Sequence, residues 1–163
     1  ADDGEIYVAG NAFLGYAGQM GYNDLQELAT GDVGYLDDAG FLHISGRKKN
    51  IFITSFGRNV SPEWVERELN VQPSIFKSAL FGEARPCNVA IIVPKAGASQ
   101  ASIDAEIQAV NQKLPDYARV GEWIFADGPF SPQNGQMTPN GRLKRDAIWQ
   151  YYQDRINQLY EGK

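Results

Sequence analysis

One cysteine, one histidine and two methionines are all that this chain of 163 residues has of those types. Cys87 alone closes no internal disulfide and builds no multi-cysteine zinc site, and His43 alone is too little for a histidine-based metal cluster. Metal ligation and redox chemistry by these residues are excluded as expectations. Long apolar runs are missing as well, none approaching the ~18 residues of a membrane-spanning helix. The opening Ala1-Asp2-Asp3-Gly4-Glu5 has neither the basic nor the apolar region of a signal peptide. A soluble, cytoplasmic protein without a membrane span is therefore expected. Excess positive charge is absent too: 15 Lys and Arg against 20 Asp and Glu leave −5 at pH 7. That balance argues against a general nucleic-acid binder, whose footprint is a broad basic surface.

The residues that are present suffice for a folded core. A 43% hydrophobic content with 12% aromatics excludes a disordered tail. At roughly 150 residues per domain the length allows one domain, or one domain carrying a piece of another. The first methionine is Met20, and a strand-like segment, Glu5-Ile6-Tyr7-Val8, begins almost at once; a cut through a longer polypeptide is the expectation. Six of the basic residues fall in two clusters, Arg47-Lys48-Lys49 and Arg142, Lys144, Arg145. Each reads as a solvated turn by itself, and the two together would suit one small polyanion.

Element order comes from periodicity and punctuation. Residues 5–8 alternate, Gly10 and Gly15 punctuate the next stretch, and Val33–Leu36 and Phe41–Ile44 flank the turn signal Asp37-Asp38-Ala39-Gly40, which predicts a hairpin. A second hairpin is predicted from Asn50–Thr54, the turn Ser55-Phe56-Gly57-Arg58, and Asn59-Val60. Ser61 as a cap and Pro62 at the first helical position start a helix running to about Leu69. Ile75–Phe81 and Val89–Val93 read as central strands. Ile103, Ile107, Val110 and Leu114 share one helical face, and Pro115 ends that helix. Glu122–Phe125 is a short strand, Asp127–Gly141 a long loop, and the last helix presents Ala147 or Ile148, Tyr151 or Tyr152, Ile156 and Leu159 on one face. The order from about residue 50 is that of an α+β fold.

Three segments lie outside these periodicities: Thr30-Gly31-Asp32, the stretch GRKKNIFITSFGRNVSPEWVE from Gly46 to Glu66, and Thr138-Pro139-Asn140-Gly141-Arg142-Leu143-Lys144-Arg145. Singly, Thr-Gly-Asp is a common turn and Asn140-Gly141 a standard turn signal. In this order and spacing they resemble the C-terminal signature motifs of the adenylate-forming synthetases, which include acyl-CoA synthetases, peptide-synthetase adenylation domains and luciferases. Gly4–Val8 followed by Gly15-Tyr16 is similar to the strand preceding that family's Thr-Gly-Asp motif. The resemblance covers essentially the whole chain, and its middle segment is most similar to long-chain fatty acyl-CoA synthetases. It implies that residues 1–47 are the final β segment of a large N-terminal adenylation domain. Residues 48–163 would then be a mobile C-terminal domain with a β-hairpin and a three-stranded sheet packed with helices.

The same resemblance implies roles. Asp32 would accept hydrogen bonds from the ATP ribose, as a fixed carboxylate on a tight glycine turn can. Arg47 would contact the nucleotide too, its guanidinium fork reaching hydroxyl and phosphate together. Lys49 falls on the hinge about which the C-terminal domain swings between half-reactions. Phe56, Gly57 and Arg58 would line the path of the CoA pantetheine arm, while Glu63 and Glu66 are expected on the surface of the following helix. Where the family usually has Gly-Lys, this chain has Gly141-Arg142, with Lys144 two residues on; either could supply the catalytic cation beside the α-phosphate, and in an extended segment both fall on one side. The ATP phosphate loop, the acyl pocket and most of the Mg2+ contacts belong to the N-terminal domain, so the chain alone is expected to be inactive.

Two functional readings stay open. One is the C-terminal part of a ligase that makes acyl-AMP from a carboxylic acid and ATP and then a thioester with CoA, or of a peptide-synthetase adenylation domain. The other is a non-catalytic module docking an acyl-carrier protein or a partner subunit, which Arg142 in place of lysine favours.

Overall fold

The alternation in Glu5-Ile6-Tyr7-Val8 becomes strand β1 (Glu5–Val8), antiparallel to β2 (Leu28–Leu36), which pairs in turn with β3 (Leu42–Arg47). The computed structural model describes residues 4–10 and 27–161, so the Gly15-Tyr16 signal and Met20 lie outside the described residues. Contacts divide the chain into two units, Ala1–Ile51 and Phe52–Lys163.

In the first unit the predicted hairpin turn is closed by Gly40 N–H donating to Asp37 O (2.9 Å) and Asp37 N–H donating to Phe41 O (3.0 Å). Asp37 Oδ1 also accepts the Phe41 N–H at 2.9 Å. His43 Nε2 lies 2.7 Å from Asp37 Oδ2. That contact, helped by the Phe41 N–H, holds the Asp37 carboxyl below the usual aspartate range. Around this end Tyr35, Leu36, Phe41, Leu42 and Ile44 are exposed apolar side chains.

The second unit opens with a short hairpin, β4 (Phe52–Ile53) against β5 (Asn59–Val60). Helix α1 (Pro62–Asn70) comes next, with Pro62 at its start, where a missing N–H costs nothing. Ser61 occupies the N-cap position, but its hydroxyl turns to Glu63 Oε2 (3.5 Å) and caps no backbone N–H. A sheet of order β6-β7-β8 comprises β6 (Ile75–Phe81), β7 (Asn88–Pro94) and β8 (Val120–Phe125). The β6–β7 pair is antiparallel and β7–β8 parallel, so α2 (Gln100–Lys113) is the crossover that a parallel pair requires. α2 starts in a capping box, Ser99 Oγ accepting from Ser102 N–H while Ser102 Oγ accepts from Ser99 N–H, both at 3.1 Å. Helix α3 (Arg145–Tyr160) ends the described chain.

The core forms on both faces of this sheet. Ala90 and Ile92 of β7 pack with Val65 and Leu69 of α1 and Ile103, Ile107 and Val110 of α2. Val89, Ile91 and Val93, alternating with them, pack with Ile148, Tyr152 and Ile156 of α3. A strand covered twice must be apolar throughout, which is why β7 reads as a continuous hydrophobic run. Of the two strands expected to be central only β7 is; β6 is an edge. Tyr152 rather than Tyr151 is the buried member of its pair, because Ile148, Tyr152 and Ile156 recur every four residues on one face. Among the described residues no helix is long and apolar enough to cross a membrane.

Candidate functional site

In the first unit Thr30-Gly31-Asp32 is a bulge within β2 rather than a turn. Tyr7 faces Ala29 and Glu5 faces Val33, so four steps of β2 oppose two of β1. Thr30 Oγ1 pins the bulge, donating to Ile6 O (2.8 Å) and accepting the Asp32 N–H (3.1 Å). A bulge re-aims the side chains it carries. Asp32 here stands across the ladder from Arg47. Arg47 Nε lies 2.8 Å from Asp32 Oδ1 and Nη1 donates to Thr30 O at 3.2 Å. Residues fifteen apart in sequence are thus one ion pair. Among the described residues, Oδ2 of Asp32 has no partner, and the side chain is 27% exposed. A carboxylate tied by one oxygen and open at the other can still accept a hydrogen bond from a hydroxyl group.

Lys49 lies exposed in a single 3-10 turn, Lys48–Asn50, between extended Arg47 (φ −96°, ψ 131°) and Ile51 (φ −62°, ψ 128°). Its neighbour Lys48 is engaged by Glu5. Of the first basic cluster, then, two members are held by acids and Lys49 projects outward.

In the second unit the β4–β5 hairpin is anchored at its root and open at its tip. Phe52 and Val60 are buried in the core, whereas Phe56 is 74% exposed and Gly57 and Arg58 are exposed. Gly57, at φ +72°, donates to Thr54 O (2.9 Å). A side chain added at Gly57 would meet nothing within 4 Å, leaving room for close approach by another molecule. The Arg58 guanidinium sits 5.7 Å from the centre of the Tyr117 ring. The loop after β6 braces the hairpin from outside, with Ala84 N–H donating to Ile53 O (2.8 Å) and Ser55 N–H to Arg85 O (3.0 Å). The tip thus presents an apolar ring, an open glycine and a cation side by side.

The third segment separates three cations that look alike in sequence. Leu143 packs toward the core and bridges to Met137, so Arg142 and Lys144 on either side of it are both exposed. Lys144 holds the N-cap position of α3, where the helix dipole adds to the attraction of two cations for an anion. Arg145 points the other way. Its Nη1 and Nη2 bind Glu66 Oε1 and Oε2 at 2.9 and 2.7 Å. Glu66, expected on the surface, is 5% exposed. Burial pushes its carboxyl up from the usual range against the opposing pull of Arg145. Leu80 N–H donates to Glu66 Oε1 (2.7 Å) and Leu80 O accepts from Arg145 Nη1 (3.3 Å). The pair supplies the two hydrogen bonds that another strand would give edge strand β6. Arg145 is therefore structural, and the helical spacing that faces Glu66 inward with Val65 and Leu69 was the available signal.

The sequence profile of the family described as AMP-binding enzyme C-terminal domain matches residues 49–163. The chain belongs to this family. As a member of the AMP-binding C-terminal domains it is similar to the long-chain-fatty-acid–CoA ligase FadD15 of Mycobacterium tuberculosis, 30% identical over 190 residues, 98% of this chain and 32% of that protein. It is also similar to the long-chain-fatty-acid–CoA ligase ACSBG2 of Mus musculus, 30% identical over 204 residues, 96% of this chain and 31% of that protein. Among solved structures, the A domain of the carboxylic acid reductase of Segniliparus rugosus, in complex with AMP and a co-purified carboxylic acid, superposes with a TM-score of 0.73 at 22% identity. That likeness covers 84% of this chain and 24% of that one, and it establishes the fold. The chain spans about a third of the length of the curated relatives it matches. The α+β architecture with its hairpin and three-stranded sheet is that of the C-terminal domain of adenylate-forming enzymes.

Proposed function

We propose that this chain is the C-terminal portion of an AMP-forming acyl-CoA synthetase of the long-chain fatty acid type. In the intact protein a carboxylic acid attacks the α-phosphorus of ATP, the bond to pyrophosphate breaks, and acyl-AMP forms. The CoA thiol then attacks the acyl carbon, AMP leaves, and the thiol proton goes to solvent or a base. The observation that carries this reading is the Asp32–Arg47 pair on its bulge, a half-open carboxylate with a guanidinium beside it. Likeness to two fatty-acid–CoA ligases over nearly the whole chain supports the substrate class. Asp32 holds the ribose, Arg47 orients the nucleotide, Arg142 or Lys144 offsets charge growing on the α-phosphate, and Phe56, Gly57 and Arg58 receive the CoA arm. Mg2+ would be held mainly by the N-terminal domain; the described residues include no group of three or more His, Cys, Asp or Glu that could hold a metal ion. Exposed Tyr35, Leu36 and Phe41 on the β2–β3 hairpin suit burial against that domain.

The test is carboxylate-dependent ATP–pyrophosphate exchange, measured on the 163-residue chain and on the intact protein. Background exchange from the chain and robust exchange from the intact protein are expected, because one side of a split site cannot hold ATP in a reactive pose. Exchange by the chain alone would refute the fragment reading. A second reading, a module docking an acyl-carrier protein, is favoured by Arg142 in place of the family's usual lysine. An upstream reading frame without an in-frame phosphate-loop segment would select it.

The hinge role of Lys49 carries its own expectation. Proline at 49 would drive Lys48 out of its helical conformation and unwind the turn closed by Ile51 N–H to Lys48 O (3.3 Å). Lys49→Pro in the intact protein should therefore impair one half-reaction far more than the other. Adenylation by pyrophosphate exchange, and thioester formation from synthetic acyl-AMP, read the two separately. Equal losses would count against a hinge at this position.

A further inference from the structure

The second unit uses one five-residue device twice. Thr54-Ser55-Phe56-Gly57-Arg58 and Thr138-Pro139-Asn140-Gly141-Arg142 share their first, fourth and fifth residues, and their geometry coincides. Gly57 N–H donates to Thr54 O at 2.9 Å and Gly141 N–H to Thr138 O at 2.9 Å. Thr54 N–H donates to Arg58 O at 3.0 Å and Thr138 N–H to Arg142 O at 2.8 Å. The glycines stand at φ +72° and +79°. In each turn the threonine Oγ1 also accepts the N–H of the arginine, at 3.2 Å from Arg58 and 3.1 Å from Arg142. The two backbone bonds suffice to close such a turn. The hydroxyl adds a third bond, and it falls on the arginine, where the chain leaves the turn. The Asp37 turn of the first unit makes the same third bond to Phe41 N–H through a carboxylate oxygen, so three turns place an acceptor oxygen on a short side chain at this position.

We propose that Thr138 and Thr54 are positioning residues, one for each half-reaction. The Thr138 hydroxyl fixes the exit of Arg142 and, through the Met137–Leu143 bridge and the Lys144 N–H bond to Gln136 O at 2.9 Å, the direction of Lys144. It thereby acts on adenylation. The Thr54 hydroxyl fixes the Phe56-Gly57-Arg58 tip and acts on thioester formation. This inference rests on the acyl-CoA synthetase function proposed for the chain, and each hydroxyl is assigned a step that the other does not serve.

The test uses the intact protein with Thr138→Val, Thr138→Ser, Thr54→Val and Thr54→Ser. Valine keeps the shape and removes the acceptor; serine keeps the acceptor. Thr138→Val should lower kcat for adenylation on the order of tenfold with KM for ATP nearly unchanged, since a small misplacement of a charge-stabilising group acts on the transition state. Thioester formation from synthetic acyl-AMP should stay within about twofold in that variant. Thr54→Val should give the reverse pattern, and both serine variants should recover. Amide hydrogen exchange, resolved to single residues, supplies a readout independent of activity: the Arg142 or Arg58 N–H should exchange about fivefold faster in the matching valine variant and return with serine. Faster exchange without a rate effect would overturn the positioning role and leave the function intact. Unchanged exchange would overturn the hydroxyl bond itself. If Arg142→Ala and Lys144→Ala both leave adenylation untouched, the reading beneath the inference fails, and the Thr138 assignment with it.

Discussion

Arg145→Ala is expected to lower the stability of the second unit by about 3–5 kcal/mol, the cost of leaving a buried carboxylate without its partner. The geometry places it at the severe end, because Arg145 binds both oxygens of Glu66 and also the carbonyl of Leu80. Trp64, Trp123 and Trp149 all lie in this unit, so denaturant unfolding followed by tryptophan fluorescence reports on it directly. The double change Glu66→Leu with Arg145→Met separates two accounts of the pair. If only the ion pair mattered, apolar replacement would restore wild-type stability. Since Leu80 N–H and C=O would both lose partners at a sheet edge, a deficit on the order of 2 kcal/mol should persist. Full recovery would show that the edge finds other partners. The pH dependence has a defined sign. A carboxyl whose pKa is raised by burial binds its proton more tightly folded than unfolded. The Arg145→Ala deficit should therefore shrink as pH falls through the acid range and be full above it.

Loss of whichever cation reaches the α-phosphate is expected to slow adenylation on the order of 10²-fold, as loss of an oxyanion-type contact does. Arg142 and Lys144 are both exposed on either side of inward-packed Leu143, so both are sterically able to serve. Arg142→Ala and Lys144→Ala in the intact protein, assayed for pyrophosphate exchange and for thioester formation from acyl-AMP, assign the role. One variant should lose exchange and keep thioester formation. Slowing of only a few-fold in both would remove the third segment from catalysis and favour the docking module. Arg145→Ala is the control that distinguishes the cluster's members, since its loss acts through unfolding and not through the phosphate.

The three motif segments were legible because each places small residues and charge outside an apolar period. The helix of Ile103, Ile107 and Val110, the twin hairpins and the strand run of β7 were legible for the same reason: their periods are local. Ser61 met the local rule for a cap and its hydroxyl still bonds Glu63, an alternative partner that a cap preference does not weigh. Thr30-Gly31-Asp32 reads as a turn in isolation and is a bulge because β1 pairs across it.

Sequence alone determined the element order, the α+β class, the family resemblance and the residues offered as Asp32, Arg47, Lys49, Phe56, Gly57, Arg58, Arg142 and Lys144. Those come from residues near one another in the chain. Tertiary structure alone decided which of the equivalent-looking charges are internal. Arg145 and Glu66, 79 positions apart, meet only because α1 and α3 lie against β6 from different directions. A side chain's partner at that separation depends on packing, for which no short pattern in the chain carries a signal.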